Sequence, residues 1–323
     1  MKSRRAAGID VGTNSFLLLI VEADCADGER VLLDRSDITR LGEGVDATRQ
    51  LQPAAMARCS AQLVEYMRLC AQYGVDVVRA VGTSALRDAV NRDEFVASVR
   101  RECGLAIEVI SGEREASLTY QAVAASRRAV GPMMNIDIGG GSTELVLGEG
   151  GQVQARVSYD VGAVRVTDRA GAMADPPTAA DLARLRAEAD AAFAMVAPAA
   201  APVMGTGGTI TTLAAIWHGL TEYDAELVES TTLTPAMVDE LTARLAAMTL
   251  AERRTVPGLP AKRADVILGG CVVLSALLAR LAVSGVGVSA GGLRYALARE
   301  ALRSVAVCGG GGLRAGDGAE DPC

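Results

Sequence analysis

Two stretches of this sequence share one arrangement: an aspartate closing an apolar run, a glycine turn, hydroxyl and amide donors, and a second apolar run. They are GIDVGTNSFLLLIV from Gly8 and NIDIGGGSTELVLG from Asn135. Asp10 aligns with Asp137, Gly12 with Gly139 and Ser15 with Ser142. Glycines let a backbone turn tightly and aim several N–H groups into one concavity, which binds anions. Thr13, Asn14 and Ser15 add donors to the first turn, and Ser142 with Thr143 does so for the second, which opens on Gly139, Gly140 and Gly141. An aspartate at the strand end suits Mg²⁺, a hard cation that takes carboxylate, water and phosphate oxygens. One copy reads as an ordinary tight β-turn. Two matching copies point to a phosphate and its metal clamped from both sides.

Other residues carry weaker signals. MGTGGTITTLA at 204–214 puts Gly207, Gly208 and Thr209 at a helix start, where N–H groups suit phosphate and where glycines also serve close packing. GTSALRDA places Arg87 after a strand, able to fork onto phosphate or to pair on the surface with Asp88. ISGEREA opens a helix with Glu113 and Glu115, ordinary partners of a helix dipole. His218 is the only histidine, and it falls at an expected helix end, so it reads as a cap or surface residue rather than a nucleophile's base.

Composition narrows the class. The 323 residues are half apolar, enough for two cored domains, and the net charge is −7. An acidic chain lacks the broad attractive field of a general nucleic-acid or membrane binder, so neither partner is expected. Positive charge is almost all arginine, Lys2 and Lys262 being the only lysines, so a polyanion would need a local arginine cluster. The seven cysteines form no CxxC pair, which reads as reduced thiols in a cytoplasmic protein. No signal peptide is read before Asp10, and the run VILGGCVVLSALLA is too short to span a membrane and reads as a buried helix.

The elements that must hold these turns follow from periodicity. Strand, glycine turn and strand open the chain, ERVLLDRSDITRLG gives a third strand, and Pro53–Tyr73 has helical spacing. A strand breaks at Gly82, a helix spans 91–103, LAIEVIS is a strand, and EREASLTYQAVAASRRA is a helix. From Met133 the pattern restarts: hairpin, a third strand around VQARVSYDVG, helix 178–196, and a strand before Gly205. Helices at 235–248 and 262–283, a strand at VGVSAGG and a helix at 293–307 follow. Two sequential copies of one α/β layer topology predict two related domains with a cleft between them.

Taken together, these motifs resemble the Ppx/GppA phosphatases, a family of exopolyphosphatases and guanosine pentaphosphate phosphohydrolases, here in a short two-domain form. The likeness runs from Gly8 to about Ala298, on GIDVGTNSF, GTSALRDA, ISGEREA, NIDIGGGSTELV, DVGAVRVTD, MGTGGTITTLA, PGLPAKRADVILGG and GLR. It implies an α/β fold of duplicated actin/hexokinase-like (ribonuclease-H-like) domains. Expected boundaries are 1–118 for domain I, completed by the helix at 293–308, then 119–292 for domain II and a flexible tail at 309–323. It also implies that Glu115, 22 positions before Asp137, is the base that activates water. Asp137 and Glu144, faced by Asp10, become metal-side carboxylates for Mg²⁺, with Mn²⁺ as the alternative. Thr13, Asn14, Ser15, Arg87 and Gly139–Ser142 become phosphate contacts.

Three departures accompany the likeness. Arg114 replaces the first glutamate of the usual pair, the closing GLREG is GLRYA with Tyr295 and Ala296, and none of the helical domains of long members is expected after the second domain. The expected activity is Mg²⁺-dependent removal of terminal phosphate from inorganic polyphosphate, best on short chains, with pppGpp as the alternative substrate. A non-catalytic polyphosphate or alarmone sensor and an actin-like-fold kinase or ATPase are the rivals, and a homodimer is left open.

Overall fold

The computed structural model describes residues 4–23 and 29–308. The tail expected at 309–323 lies outside them, as do Cys25 and Cys323; Cys59, Cys70, Cys103 and Cys271 are free thiols. Strands β1 (Arg5–Val11), β2 (Ser15–Ala23), β3 (Glu29–Ile38), β4 (Val77–Gly82) and β5 (Ile107–Val109) form one sheet in the order β3-β2-β1-β4-β5. Strands β6 (Pro132–Ile138), β7 (Thr143–Glu149), β8 (Gln152–Tyr159), β9 (Val203–Thr206), β10 (Thr232–Leu233) and β11 (Val286–Val288) form the other. Read from its β8 edge, that sheet runs β8-β7-β6-β9-β11, with β10 added antiparallel beyond. The order is the same in both. In each, an antiparallel hairpin is followed by a strand parallel to its first arm, β4 on β1 and β9 on β6. This is the duplicated actin/hexokinase-like architecture expected from the sequence.

Strand alternation sorts the first hairpin onto two faces. Ile9, Val11, Leu18 and Ile20 pack with Leu63 and Tyr66 of the helix Pro53–Gln72, which starts with a proline whose missing N–H is no loss at that position. Ala6, Leu19 and Val21 meet Ala298 and Ala301 of the helix Leu293–Cys308 on the opposite face. The last helix of the chain therefore closes the first sheet. The other sheet builds the larger core with the helices Gly208–Trp217, Pro235–Ala246 and Ile267–Leu281.

The helix Gly112–Ser126 belongs to both halves. Leu118 and Ala122 cluster with Val81, Leu293 and Leu297, whereas Ala116, Tyr120 and Val123 cluster with Met133 and Val146. The expected boundary at 118 falls inside this helix.

Differences from the sequence reading are local. The helix expected over 262–283 is a 3-10 turn, Ala261–Arg263, followed by Ile267–Leu281, so Arg263 sits on a turn rather than a helix face. The helix expected over 178–196 is Ala179–Ala192, capped by Thr178 and Asp181 in a reciprocal box. A helix at Ala163–Ala170 was not foreseen, because its valine-rich run of 8 residues is too short to show a helical period. Among the described residues no helix is long and apolar enough to cross a membrane, and Ile267–Leu281 is buried in the core.

Gly8 fixes the contact between β1 and the closing helix. A Cβ there would lie 2.3 Å from the Arg294 carbonyl oxygen and 2.7 Å from the Ala298 nitrogen, both backbone. Gly8→Ala should therefore displace the helix and destabilise the fold by about 1–3 kcal/mol, the usual cost of overpacking. A urea unfolding midpoint equal to wild type would show that the helix is not held this closely.

Candidate active site

Parallel strands in open α/β sheets present their carboxyl ends to ligands. Here β1, β4, β6 and β9 end at one cleft of about 560 Å³, walled by Asp10, Thr83, Asp137, Thr206 and the loops that follow them. Both glycine turns close the same way: Gly12 N–H donates to Ser15 O at 3.2 Å, and Gly139 N–H to Ser142 O at 3.0 Å. They face each other across the cleft floor. A Cβ on Gly140 would lie 3.2 Å from the Thr13 and Asn14 Cβ atoms, and one on Gly141 would lie 2.4 Å from Ser84 Oγ. A side chain at either position would crowd the opposing half, which accounts for glycine at 140 and 141.

Thr13, Asn14, Ser15 and Gly139–Ser142 all line this cleft, as do Gly207, Gly208 and Thr209. The third turn serves packing and the cleft at once. Gly207 has φ +90°, and a Cβ there would come within 2.5 Å of Asp137 Oδ1. The helix Gly208–Trp217 then starts at the cleft wall.

Four carboxylates crowd this place. Asp137 pairs directly with Glu144 across the β6–β7 hairpin, the register position at which the first hairpin pairs Asp10 with Leu17. Glu144 is 1% exposed and lies behind the cleft wall, accepting from Ser158 Oγ at 2.8 Å. Asp10 Oδ1 is buried and has no hydrogen-bond partner. Burial, then the charge of Glu115, pushes Asp137 up to about 7. Asp10 and Glu144 are raised well above the carboxylate range by burial, then by Glu115, then by Asp137. Among the described residues no three His, Cys, Asp or Glu side chains form a cage for a metal ion.

Glu115 projects into the cleft from the first turn of Gly112–Ser126, whose N-cap Ser111 accepts from Arg114 N–H. Burial raises its pKa, and Arg87 pulls it back down. Arg87 Nη1 donates to Glu115 Oε2 at 2.6 Å and to Ile110 O at 3.2 Å, while Nη2 lies 3.5 Å from Ser142 Oγ. The guanidinium thus stands behind the carboxylate, bridging it toward the second turn. It is not the surface partner of Asp88, which pairs with Arg165 and Arg49 instead. Glu113 stays outside, 3.4 Å from Arg156, and Arg114 pairs on the surface with Glu108. His218 caps Gly208–Trp217 away from the cleft, with Nε2 2.9 Å from Thr231 Oγ1.

The cleft holds residues to which sequence reasoning gave no role. Arg263 donates to Gly208 O at 2.6 Å, to Thr212 Oγ1 and to Ser15 Oγ at 3.3 Å, and burial without a carboxylate partner lowers its pKa to about 10. Arg294 grips Asp34 at 2.8 and 2.9 Å, and Tyr295 donates to the same carboxylate at 3.0 Å. The departure at Tyr295 therefore joins the clamp between the closing helix and β3. Their motifs were legible, but a lone arginine within each carries no periodic or turn signal.

The raised carboxylates give a pH signature. With divalent ions chelated, Asp137 keeps its proton in the folded chain up to about 7, whereas the unfolded chain releases it near 3.8. The folded state then binds more protons across that window, so stability falls as pH rises through it. Chelated protein should melt higher at pH 6 than at pH 8, and Asp137→Asn should flatten the slope. A melting temperature that climbs from pH 6 to 8 would contradict the crowding.

Comparison with known proteins places the chain in a family. Residues 20–304 match the Ppx/GppA phosphatase family. Exopolyphosphatase 2 of Mycobacterium tuberculosis is 40% identical over 296 residues, 87% of this chain and 92% of that protein. The crystal structure of the Aquifex aeolicus Ppx/GppA family member superposes with a TM-score of 0.78 at 33% identity, over 94% of this chain and 99% of that one. An exopolyphosphatase from Cytophaga hutchinsonii gives 0.83 at 26% identity, over 93% and 98%. With its paired glycine turns, its buried carboxylates and these relatives over nearly its full length, the chain belongs to the Ppx/GppA phosphatase family.

Proposed function

We propose that this protein is an exopolyphosphatase, hydrolysing the terminal phosphoanhydride of inorganic polyphosphate. One observation carries the reading: Glu115 enters the cleft between two facing glycine turns, with Arg87 holding its carboxylate at 2.6 Å. Phosphoryl transfer needs positioning and charge stabilisation more than covalent help. The N–H groups and hydroxyls of the two turns supply donors for the terminal phosphoryl oxygens. Glu115 takes a proton from water as its oxygen bonds to phosphorus. The bond to the bridging oxygen breaks, leaving orthophosphate and a chain one unit shorter. A base whose pKa is lifted by burial suits this near neutral pH.

The buried carboxylates fit a divalent cation, because Asp10 Oδ1 has no partner and the group repels itself. Asp10 and Asp137, which line the cleft, would hold it directly with Glu144 behind them, and Mg²⁺ commonly uses one or two carboxylates and keeps several waters, so a full protein cage is not required. When bound, the ion supplies charge to the phosphate oxygens. Arg263, bonded to neutral oxygens only, is a cation free to meet phosphate at the cleft. The same terminal anhydride occurs in pppGpp, the second substrate to test. Contacts confined to one cleft in an acidic chain favour short polyphosphates.

Glu115→Gln keeps shape but cannot accept the proton, so kcat should fall by ~10²–10⁴-fold with binding retained. Phosphate release from polyphosphates of defined length and from pppGpp measures this, and near wild-type kcat would remove Glu115 from the mechanism. Asp137→Asn should raise the Mg²⁺ concentration for half-maximal activity, since an amide is a weaker ligand for a hard cation. An unchanged metal titration would take Asp137 out of the ion's shell.

A further inference from the structure

The motif DVGAVRVTD contributes no residue to the cleft wall except Ala163, yet its arginine is one of the most heavily bonded side chains in the protein. Arg165 is 6% exposed. Its Nε donates to Gly141 O at 2.6 Å, Nη1 to Asp46, and Nη2 to Asp88 and to Ser84 Oγ at 3.1 Å. Gly141 belongs to the second glycine turn, whereas Asp46, Ser84 and Asp88 come from two short helices of the first half, Val45–Thr48 and Ser84–Asp88. Asp46 is held from its other side by Arg169, at 3.0 and 3.1 Å. One guanidinium thus ties the turn of one half to three residues of the other.

The backbone around it explains what that tie does. Ala163 N–H donates to Gly139 O at 3.0 Å, and Val164 and Arg165 N–H donate to Gly140 O at 2.8 and 3.0 Å. Together with the Arg165 side chain on Gly141 O, every carbonyl of the triple glycine is drawn toward the helix Ala163–Ala170. In a trans peptide the C=O and the following N–H point in opposite directions. Capturing those three carbonyls therefore turns the N–H groups of Gly140, Gly141 and Ser142 the other way, toward the cleft. Two of these peptides are set by the helix backbone. The third, Gly141–Ser142, is set by the Arg165 side chain, and a glycine peptide has little conformational preference to hold it otherwise.

We propose that Arg165 is a positioning residue for phosphoryl transfer: it orients the Gly141–Ser142 peptide into the cleft and locks that turn against Asp46, Ser84 and Asp88 of the opposing half. The inference rests on the exopolyphosphatase reading for its catalytic consequence, and on the hydrogen bonds alone for its structural one. Arg165 is not part of the cleft wall; it acts through Ser142 N–H. Lysine cannot replace it, because an ammonium group lacks the planar fork that reaches the carbonyl and both carboxylates together.

Two full-length variants test this. In Arg165→Lys the charge survives and the fork does not. In the triple variant Arg165→Met, Asp46→Asn, Asp88→Asn, the charges vanish together, so the fold is not left with unpaired buried carboxylates. Both should show faster amide hydrogen exchange over residues 139–142, with exchange unchanged in the helices Pro53–Gln72 and Ile267–Leu281. Both should lose kcat on short polyphosphate by ~10²-fold, the scale of a small misplacement of reacting groups, with a smaller change in KM. If Arg165 serves only to neutralise Asp46 and Asp88, the triple variant will exchange and turn over like wild type, and the proposal fails. It fails equally if Arg165→Lys matches wild type in both. Should Arg165→Lys not fold, the triple variant decides alone. Should wild type release phosphate from neither polyphosphate nor pppGpp, the functional reading falls, while exchange over 139–142 still decides the role of Arg165.

Discussion

Glu115 lies close enough to Asp10, Asp137 and Glu144 to raise the pKa of all three, Asp137 adds to the rise at Asp10 and Glu144, and among the described residues no lysine or histidine stands among them. Like charges held together in a low-dielectric place either take up protons or need a counter-cation. Everything nearby works to keep them together despite the repulsion. Strand register pairs Asp137 with Glu144, the close contact at Gly8 seats the closing helix beside Asp10, and Arg87 restrains Glu115. A divalent cation would relieve that repulsion, and one carrying an anion would suit the donors of the facing turns.

The two halves repeat a topology without repeating a chemistry. The hairpins agree in strand order, turn closure and aspartate position, but the residue facing the aspartate is Leu17 in one and Glu144 in the other. The acidic load is thereby placed mainly on the second sheet, with the shared helix Gly112–Ser126 bringing Glu115 to it. The repeated topology carries two nests, and one cross-strand position makes the second the more acidic of them.

Much of this was legible in the sequence, and for identifiable reasons. The paired turns were visible because glycine, hydroxyl and aspartate spacing is local, and the strands around them because alternation is local too. Pro53 and the apolar period that follows announced a helix, which formed. Glu115 was invisible without the family likeness, since Glu113, two positions away, has the same helix-terminal chemistry and faces solvent instead. The interior roles of Arg165, Arg263 and Arg294 could not be read, because their partners lie tens to hundreds of residues away and depend on how the halves meet. The helix Ala163–Ala170 was missed for want of length, and with it the reason that the triple glycine turns its carbonyls inward.

The chain passes between the halves at two neighbouring places: through Gly112–Ser126 into β6, and from β11 into Leu293–Cys308. Those two helices share one apolar cluster. Any rotation of one half against the other has its axis near that packed pair, as a door swings about its hinge pins. Such a rotation would have to break the Arg165 tie between the second glycine turn and Asp46, Ser84 and Asp88, so that guanidinium is the latch of the door.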